Sequence, residues 1–160
     1  MSPTKKTLLR NSLVYGLAPF AHRWYREKPS IRVIAFHDIP PRLEPRFRSK
    51  VRWLIDNSHV VSLEKLFRQS GLDDQRLNVA LTFDDGYKEC ASFAAPLLKE
   101  FGLPATFFVP SGAVDSTGAE ADRFVKNGLR RRGSFKFMDR TDIQRLAEDP
   151  LFEIGGHTAN

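Results

Sequence analysis

Apolar positions along the chain follow two rhythms. Short continuous apolar runs at 31–37 (IRVIAFH), 59–63 (HVVSL), 78–83 (NVALTF), 104–110 (PATFFVP) and 151–160 (LFEIGGHTAN) predict strands. Between them, apolar residues recur every three or four positions, which predicts amphipathic helices. Val51, Leu54 and Ile55 mark one over 49–57, after a loop signalled by Pro40, Pro41 and Pro45. Ser62 caps a second, with Leu63, Leu66 and Phe67 on its face and Gly71 at its end. A third covers about 87–101, where Cys90, Phe93, Ala94, Leu97, Leu98 and Phe101 form one stripe. Pro96 is expected to kink or break it near its middle, and Gly102 to stop it. Residues 111–138 read as an irregular basic insertion with one helix near 120–131. Thr141 and Gln144 fit a capping box ahead of Ile143, Leu146 and Ala147.

Strands of unbroken apolar character are buried on both faces, and their alternation with helices predicts βαβ units in a parallel sheet. In such α/β folds the functional groups lie at the C-terminal ends of the strands. Four candidates stand there: His37 after the first strand, Asp84 and Asp85 after 78–83, and His157 on the last. His22 and His59 lack supporting context and are read as structural. Cys90 belongs to an apolar stripe and is read as a packed thiol.

Composition changes this picture little. The chain has 160 residues, enough for one domain, and is 41% hydrophobic and 28% charged, which excludes a disordered chain. No apolar stretch reaches the ~20 residues of a membrane span. Its single cysteine excludes an intrachain disulfide. The net charge is +6, with one cluster at Arg130, Arg131 and Arg132. That cluster reads as solvated surface, since no aromatic and basic nucleic-acid signature accompanies it, and no nucleic-acid partner is expected. Residues 1–30 form a basic, amphipathic extension suited to lie on the domain or on a membrane surface. It is a poor signal peptide, so a cytoplasmic or membrane-associated protein is expected over a secreted one.

The adjacent carboxylates Asp84 and Asp85 repel each other, and two readings explain them. Asp-Asp-Gly is common turn chemistry at a strand end. Alternatively, a divalent metal binds one carboxylate and leaves the other as a general base that takes a proton from an acidified water. Histidine nitrogen with aspartate oxygen suits zinc, or cobalt or a similar transition metal.

The stretch LTFDDGYKECASFAAPLLKEFGLPATFFVPSG, with EIGGHTAN at 153–160 and FHDI at 36–39, resembles the polysaccharide deacetylase family, also called the NodB-homology or carbohydrate esterase 4 family. TFDDG at 82–86 matches its first motif, ATFF at 105–108 its next strand and GGHT at 155–158 the start of its second motif. The resemblance implies a distorted (β/α) barrel, of which residues 31–160 would be the N-terminal part, cut within the second motif. It implies Asp84 as general base, Asp85 and His157 as metal ligands, and His37 as a residue lining the site. The implied reaction removes N-acetyl groups from a polysaccharide or oligosaccharide containing N-acetylglucosamine. A third histidine ligand and later motifs supplying the general acid have no counterpart here. The expectation is therefore a piece of a longer reading frame, inactive as 160 residues alone. The alternative is a half-barrel without catalysis that binds carbohydrate or docks a partner.

Overall fold

The computed structural model describes residues 30–127 and 135–157. The expectations for residues 1–29, for Arg130, Arg131 and Arg132 and for the last three positions of the final strand lie outside them. Five strands form one sheet: β1 (Ile31–Phe36), β2 (Ser58–Val60), β3 (Leu77–Phe83), β4 (Ala105–Val109) and β5 (Phe152–Gly156). Every pairing is parallel, in the order β1-β3-β4-β5. β2 pairs with Leu77, Asn78 and Val79 at the start of β3, and β4 with Thr82 and Phe83 at its end. All the strands therefore point one way, and their C-terminal ends share one edge of the sheet. Helices α1 (Glu44–Asn57), α2 (Leu63–Arg68), α3 (Ala95–Glu100), α4 (Gly118–Asn127) and α5 (Arg140–Ala147) make the connections. No helix among the described residues is long and apolar enough to cross a membrane.

The core is built on aromatic rings that run across the strands. Phe83 stacks on Phe36 at 5.3 Å and on Phe107 at 5.0 Å between ring centres. Phe47 from α1 meets Phe36 edge-on, and Phe152 from β5 meets Phe107 edge-on. Val79 and Leu81 share the Phe83 face by strand alternation and lie in the same buried cluster as Val51 and Leu54 of α1. The opposite face of β3 carries Asn78, Ala80 and Thr82. There Ala80 packs with Val61 and Leu66, the latter from α2. Farther along that face the sheet turns polar, and the Thr106 hydroxyl donates to Glu153 at 2.7 Å.

Four sequence expectations need correction. β1 was expected to be buried; it is an edge strand among the described residues, with Ile31 38% and Val33 49% exposed. Burial of a strand depends on its neighbours in the sheet, which local pattern does not report. α1 begins five residues before the expected start at 49, because Pro45 sits in its first turn rather than in a loop. Proline fits there because the first amides of a helix have no intrahelical acceptor. The helix around Cys90 does not break at Pro96. Its turn widens over Cys90–Ala94, where the Ala95 N–H reaches back five residues to the Cys90 carbonyl. The register shift sits just ahead of the proline, which lacks a donor and would crowd a regular turn. The capping box of α5 uses Asp139 and Asp142, whose carboxylates and amides bond reciprocally, in place of Thr141 and Gln144.

Gly155 of β5 lies beside Phe108 of β4 in the ladder. A Cβ at Gly155 would stand 2.5 Å from the Phe108 ring. Gly155→Ala therefore forces that ring off its position and is expected to cost about 1–3 kcal/mol, the range for overpacking. Thermal or urea unfolding measures it, and an unchanged midpoint would show that the ring yields freely.

Candidate functional site

The ends of β1, β3 and β5 bring the predicted residues to one edge of the sheet. Asp84 extends the ladder: its N–H donates to the Phe36 carbonyl at 2.8 Å. This sets Asp84 beside the end of β1, where His37 is exposed. The backbone then reverses through two consecutive left-handed residues, Asp85 at φ +68 and Gly86 at φ +64. Aspartate tolerates this region better than most residues, and glycine enters it without strain. Gly86 is also required by space, since a Cβ there would lie 3.0 Å from Val109 Cγ1 and 3.1 Å from Pro110 Cδ. The turn is therefore pressed against the end of β4.

His157 reaches the same place from the other side. Its N–H donates to the Val109 carbonyl at 3.1 Å, continuing the β4–β5 ladder past Gly156. Val109 is thus flanked by the Asp85-Gly86 turn on one side and by His157 on the other. The His157 Nδ1 atom is buried and has no hydrogen-bond partner among the described residues. An imidazole nitrogen left in that condition is costly unless something binds it.

The two carboxylates have different surroundings, as a division of labour requires. Asp85 is buried, with 5% of its surface exposed, whereas Asp84 is half-buried. The difference comes from the turn, because the strand ends at Phe83 and strand alternation does not extend to Asp85. Asp-Asp-Gly is a turn, as one reading expected, and it carries a buried carboxylate to the strand-end edge. Among the described residues, no three His, Cys, Asp or Glu side chains gather as a metal cluster. The donors present fit a divalent cation in kind: an imidazole nitrogen without a hydrogen-bond partner among the described residues, and two carboxylates at the same edge of the sheet.

Cys90 lies beneath this edge. Its thiol donates to the His37 carbonyl at 3.1 Å and so ties the chain after β1 to the helix after β3. Burial pushes the thiol pKa up, and the carboxylates of Asp38, Glu89, Asp85 and Asp84 push it the same way. A thiolate is the reactive form, so Cys90 is expected to resist labelling by a thiol reagent until the protein unfolds. Rapid labelling of the native protein at neutral pH would contradict the buried position.

Sequence reasoning missed the rim of the site. Residues 135–138 run against 86–88: the Met138 N–H donates to the Gly86 carbonyl and the Lys88 N–H to the Lys136 carbonyl. Tyr87 and Phe137 pair across this bridge and stack at 5.6 Å. Lys88 Nζ stands 2.7 Å from Asp139 and 2.5 Å from Asp142, tying the turn to the start of α5. The signal available was Asp139-x-x-Asp142, a capping pattern two residues upstream of the predicted one.

These ion pairs set an acid limit. Hydrogen bonding to Lys88 holds the Asp139 carboxyl below its ordinary pKa, and Arg140 and Lys99 do the same for Asp115 and Asp149. A depressed folded-state pKa contributes stability above the unfolded value, which is near 4, and loses it as pH falls through the folded one. The melting temperature is expected to be flat from about pH 7 to 5 and to drop below about pH 4. A melting temperature unchanged at pH 3 would remove these pairs from the stability of the fold.

Comparison with known proteins identifies the family and the fold. The sequence profile described as polysaccharide deacetylase matches residues 72–160, more than half of the chain. YxkH of Bacillus subtilis (strain 168) is 31% identical over 94 residues, covering 52% of this chain and 33% of that protein. The poly-beta-1,6-N-acetyl-D-glucosamine N-deacetylase of Escherichia coli (strain K12) is 29% identical over 116 residues, covering 71% of this chain and 17% of that protein. The chain thus spans a third or less of these curated relatives. In fold, IcaB from Ammonifex degensii superposes with a TM-score of 0.65 at 22% identity, over 82% of this chain and 54% of that one. The open parallel sheet is accordingly part of the barrel expected from sequence, and the chain belongs to the polysaccharide deacetylase family.

Proposed function

We propose that this chain carries the first part of the active site of a metal-dependent hydrolase that removes N-acetyl groups from a polysaccharide or oligosaccharide of N-acetylglucosamine. The observation that carries the reading is the meeting of the Asp85-Gly86 turn and the His157 backbone at Val109, with the buried His157 Nδ1 atom lacking a hydrogen-bond partner among the described residues. The name of the Escherichia coli relative supports the substrate class. Asp85 and His157 would hold the cation, with zinc the best match to one carboxylate and one imidazole. When bound, that cation supplies Lewis-acid polarisation of the acetyl carbonyl.

The remaining work falls to the chain. Asp84, half-buried beside the end of β1, is placed to accept a proton from the attacking water. The water oxygen bonds to the acetyl carbon, the carbon–nitrogen bond breaks, and the sugar nitrogen leaves as an amine after taking up a proton. Acetate and a free amino sugar result. Burial of Asp85 keeps the ligand carboxylate out of competing water, while Asp84 retains access to it.

Chelation tests this reading in the protein at its full natural length. Dialysis against a chelator is expected to stop release of acetate from an N-acetylglucosamine oligomer, and added zinc to restore it. Acetate release that survives chelation would remove the metal from the mechanism. Absence of release from any N-acetylated saccharide would remove the hydrolase.

A further inference from the structure

Asp85 and His157 come from distant parts of the chain, and two routes through the described residues fix where one stands relative to the other. The first runs through the sheet. β5 pairs with β4 along the whole of Ala105–Val109, but β3 meets β4 only at Thr82 and Phe83. The joint nearest the carboxylates is therefore the short one. The second route runs through the rim. The Gly86 carbonyl accepts the Met138 N–H at 2.9 Å, and the Met138 carbonyl accepts the Asp115 N–H at 3.3 Å. Asp139 then caps α5, whose Leu146 shares the core with Phe152, and α5 packs on β5, which ends at His157.

We propose that Lys88 is a positioning residue: its ammonium clamps the Asp85-Gly86 turn to α5 and so sets the spacing of Asp85 from His157. The inference rests on the hydrolase reading for what these two residues bind, and on the ion pairs themselves for the clamp. Lys88 follows the turn closely, and its Nζ lies 2.7 Å from Asp139 and 2.5 Å from Asp142. Those carboxylates are already fixed, because Asp139 accepts the Asp142 N–H and Asp142 accepts the Asp139 N–H. The lysine therefore grips the first turn of α5 at two held points, while its own N–H donates to the Lys136 carbonyl at 2.8 Å. A fully exposed pair would hold little, since water screens it and the long side chain stays free. Here Lys88 is half-buried and the Asp142 side chain is only 4% exposed. Breaking the pair would strand a buried carboxylate without its nearest cation, so the clamp resists opening. The turn needs such a hold. Asp85 sits at φ +68, and a residue other than glycine stays there only where its surroundings keep it. Stability alone asks for no particular place for an ion pair. This one joins that turn to the helix leading directly into β5 and His157.

Zinc titration, melting temperature and amide hydrogen exchange test this in the protein at its full natural length. The samples are native protein, Lys88→Arg, Lys88→Met, and Lys88→Met combined with Asp142→Asn. Arginine keeps a cation that can bond both carboxylates, so Lys88→Arg is expected to bind zinc within about threefold of native. Lys88→Met strands the Asp142 charge and is expected to melt lower. It should also bind zinc about tenfold more weakly, the lower end of what loss of an outer partner costs. The double variant removes the stranded charge, and asparagine still accepts the Asp139 N–H. Its melting temperature should return close to native while zinc affinity stays about tenfold down. Affinity that returns together with the melting temperature would overturn the positioning role and leave Lys88 a stabilising residue only. The His157 N–H reads the spacing with no metal present, because it donates to the Val109 carbonyl at the far end of the rim route. Its exchange is expected to be faster in the double variant than in the native protein. Unchanged exchange would overturn the positioning role as well. A native protein that binds no zinc, but whose His157 N–H exchanges faster in the double variant, would keep the clamp and overturn the metal-dependent hydrolase.

Discussion

Asp85→Ala is expected to abolish metal binding, and Asp84→Asn to leave it in place. The contrast follows from position. Asp85 is buried in the turn whose Gly86 presses on Val109, the residue that takes the His157 N–H, whereas Asp84 is half-buried beside the end of β1. Removing Asp85 deletes one of two proposed protein ligands, so the affinity loss should exceed the about 10–100-fold that follows loss of a supporting partner. Alanine adds a second effect, because φ +68 strains it more than aspartate. Asp85→Asn separates the two: asparagine tolerates the left-handed backbone, so the strain is avoided while the charge goes. Metal titration by calorimetry, with melting temperature alongside, reads both. Asp84→Asn should bind metal within about threefold of native while its turnover falls by about 100- to 10,000-fold, the usual contribution of a general base. Equal metal loss in Asp84→Asn and Asp85→Asn would sink the division of roles.

Phe83→Ala is expected to be the most destabilising single change in the sheet, at about 3–5 kcal/mol. Phe83 is 1% exposed and sits between Phe36 and Phe107, with Phe47 edge-on at 6.2 Å. Truncation opens a cavity where three strands and α1 meet, and close neighbours on three sides limit collapse. A domain of this size has a total stability of only ~5–15 kcal/mol, so the variant is expected to lose a large share of it. Phe83 also precedes Asp84 directly, so the same change should loosen the site. Urea unfolding measures the first effect. A loss below about 1 kcal/mol would mean that the ring stack is not the structural centre assigned to it.

The parts of this fold that were legible in sequence are those whose cause is local. β3 and β4 are continuous apolar runs because both faces are covered, and their predicted limits fall within a residue of those observed. The apolar stripe from Cys90 to Leu98 is local as well and is buried as expected, except at Phe93 and Phe101, which are half-buried. Edge position is not local. Ile31 and Val33 read as core because nothing in IRVIAF reports that β1 has one neighbour among the described residues. Ile154 of β5 is 37% exposed at the other edge for the same reason, although Phe152 two residues earlier packs on Phe107. Proline was over-read at two places. Pro45 starts a helix, and Pro96 continues one behind a widened turn.

The candidate site divides the same way. Asp84, Asp85 and His157 were visible because each sits in a short motif at the end of an apolar run. Their unequal surroundings arise from a left-handed turn beyond the strand, which the motif alone does not report. The rim was invisible, because Met138 and Lys136 meet Gly86 and Lys88 across some fifty positions of chain. Such a pairing has no signature in either segment alone.

Deacetylation by matched proteins that differ only at Asp84 tests the central claim most directly. The substrate is an N-acetylglucosamine oligomer, the protein is at its full natural length, and zinc occupancy is measured on the same samples. Native protein is expected to release acetate and free amine in equal amounts. Asp84→Asn, equally loaded with zinc and equally folded, is expected to release neither above about one hundredth of the native rate. Turnover by Asp84→Asn at close to the native rate, with zinc bound, would contradict the assignment of Asp84 as the proton acceptor.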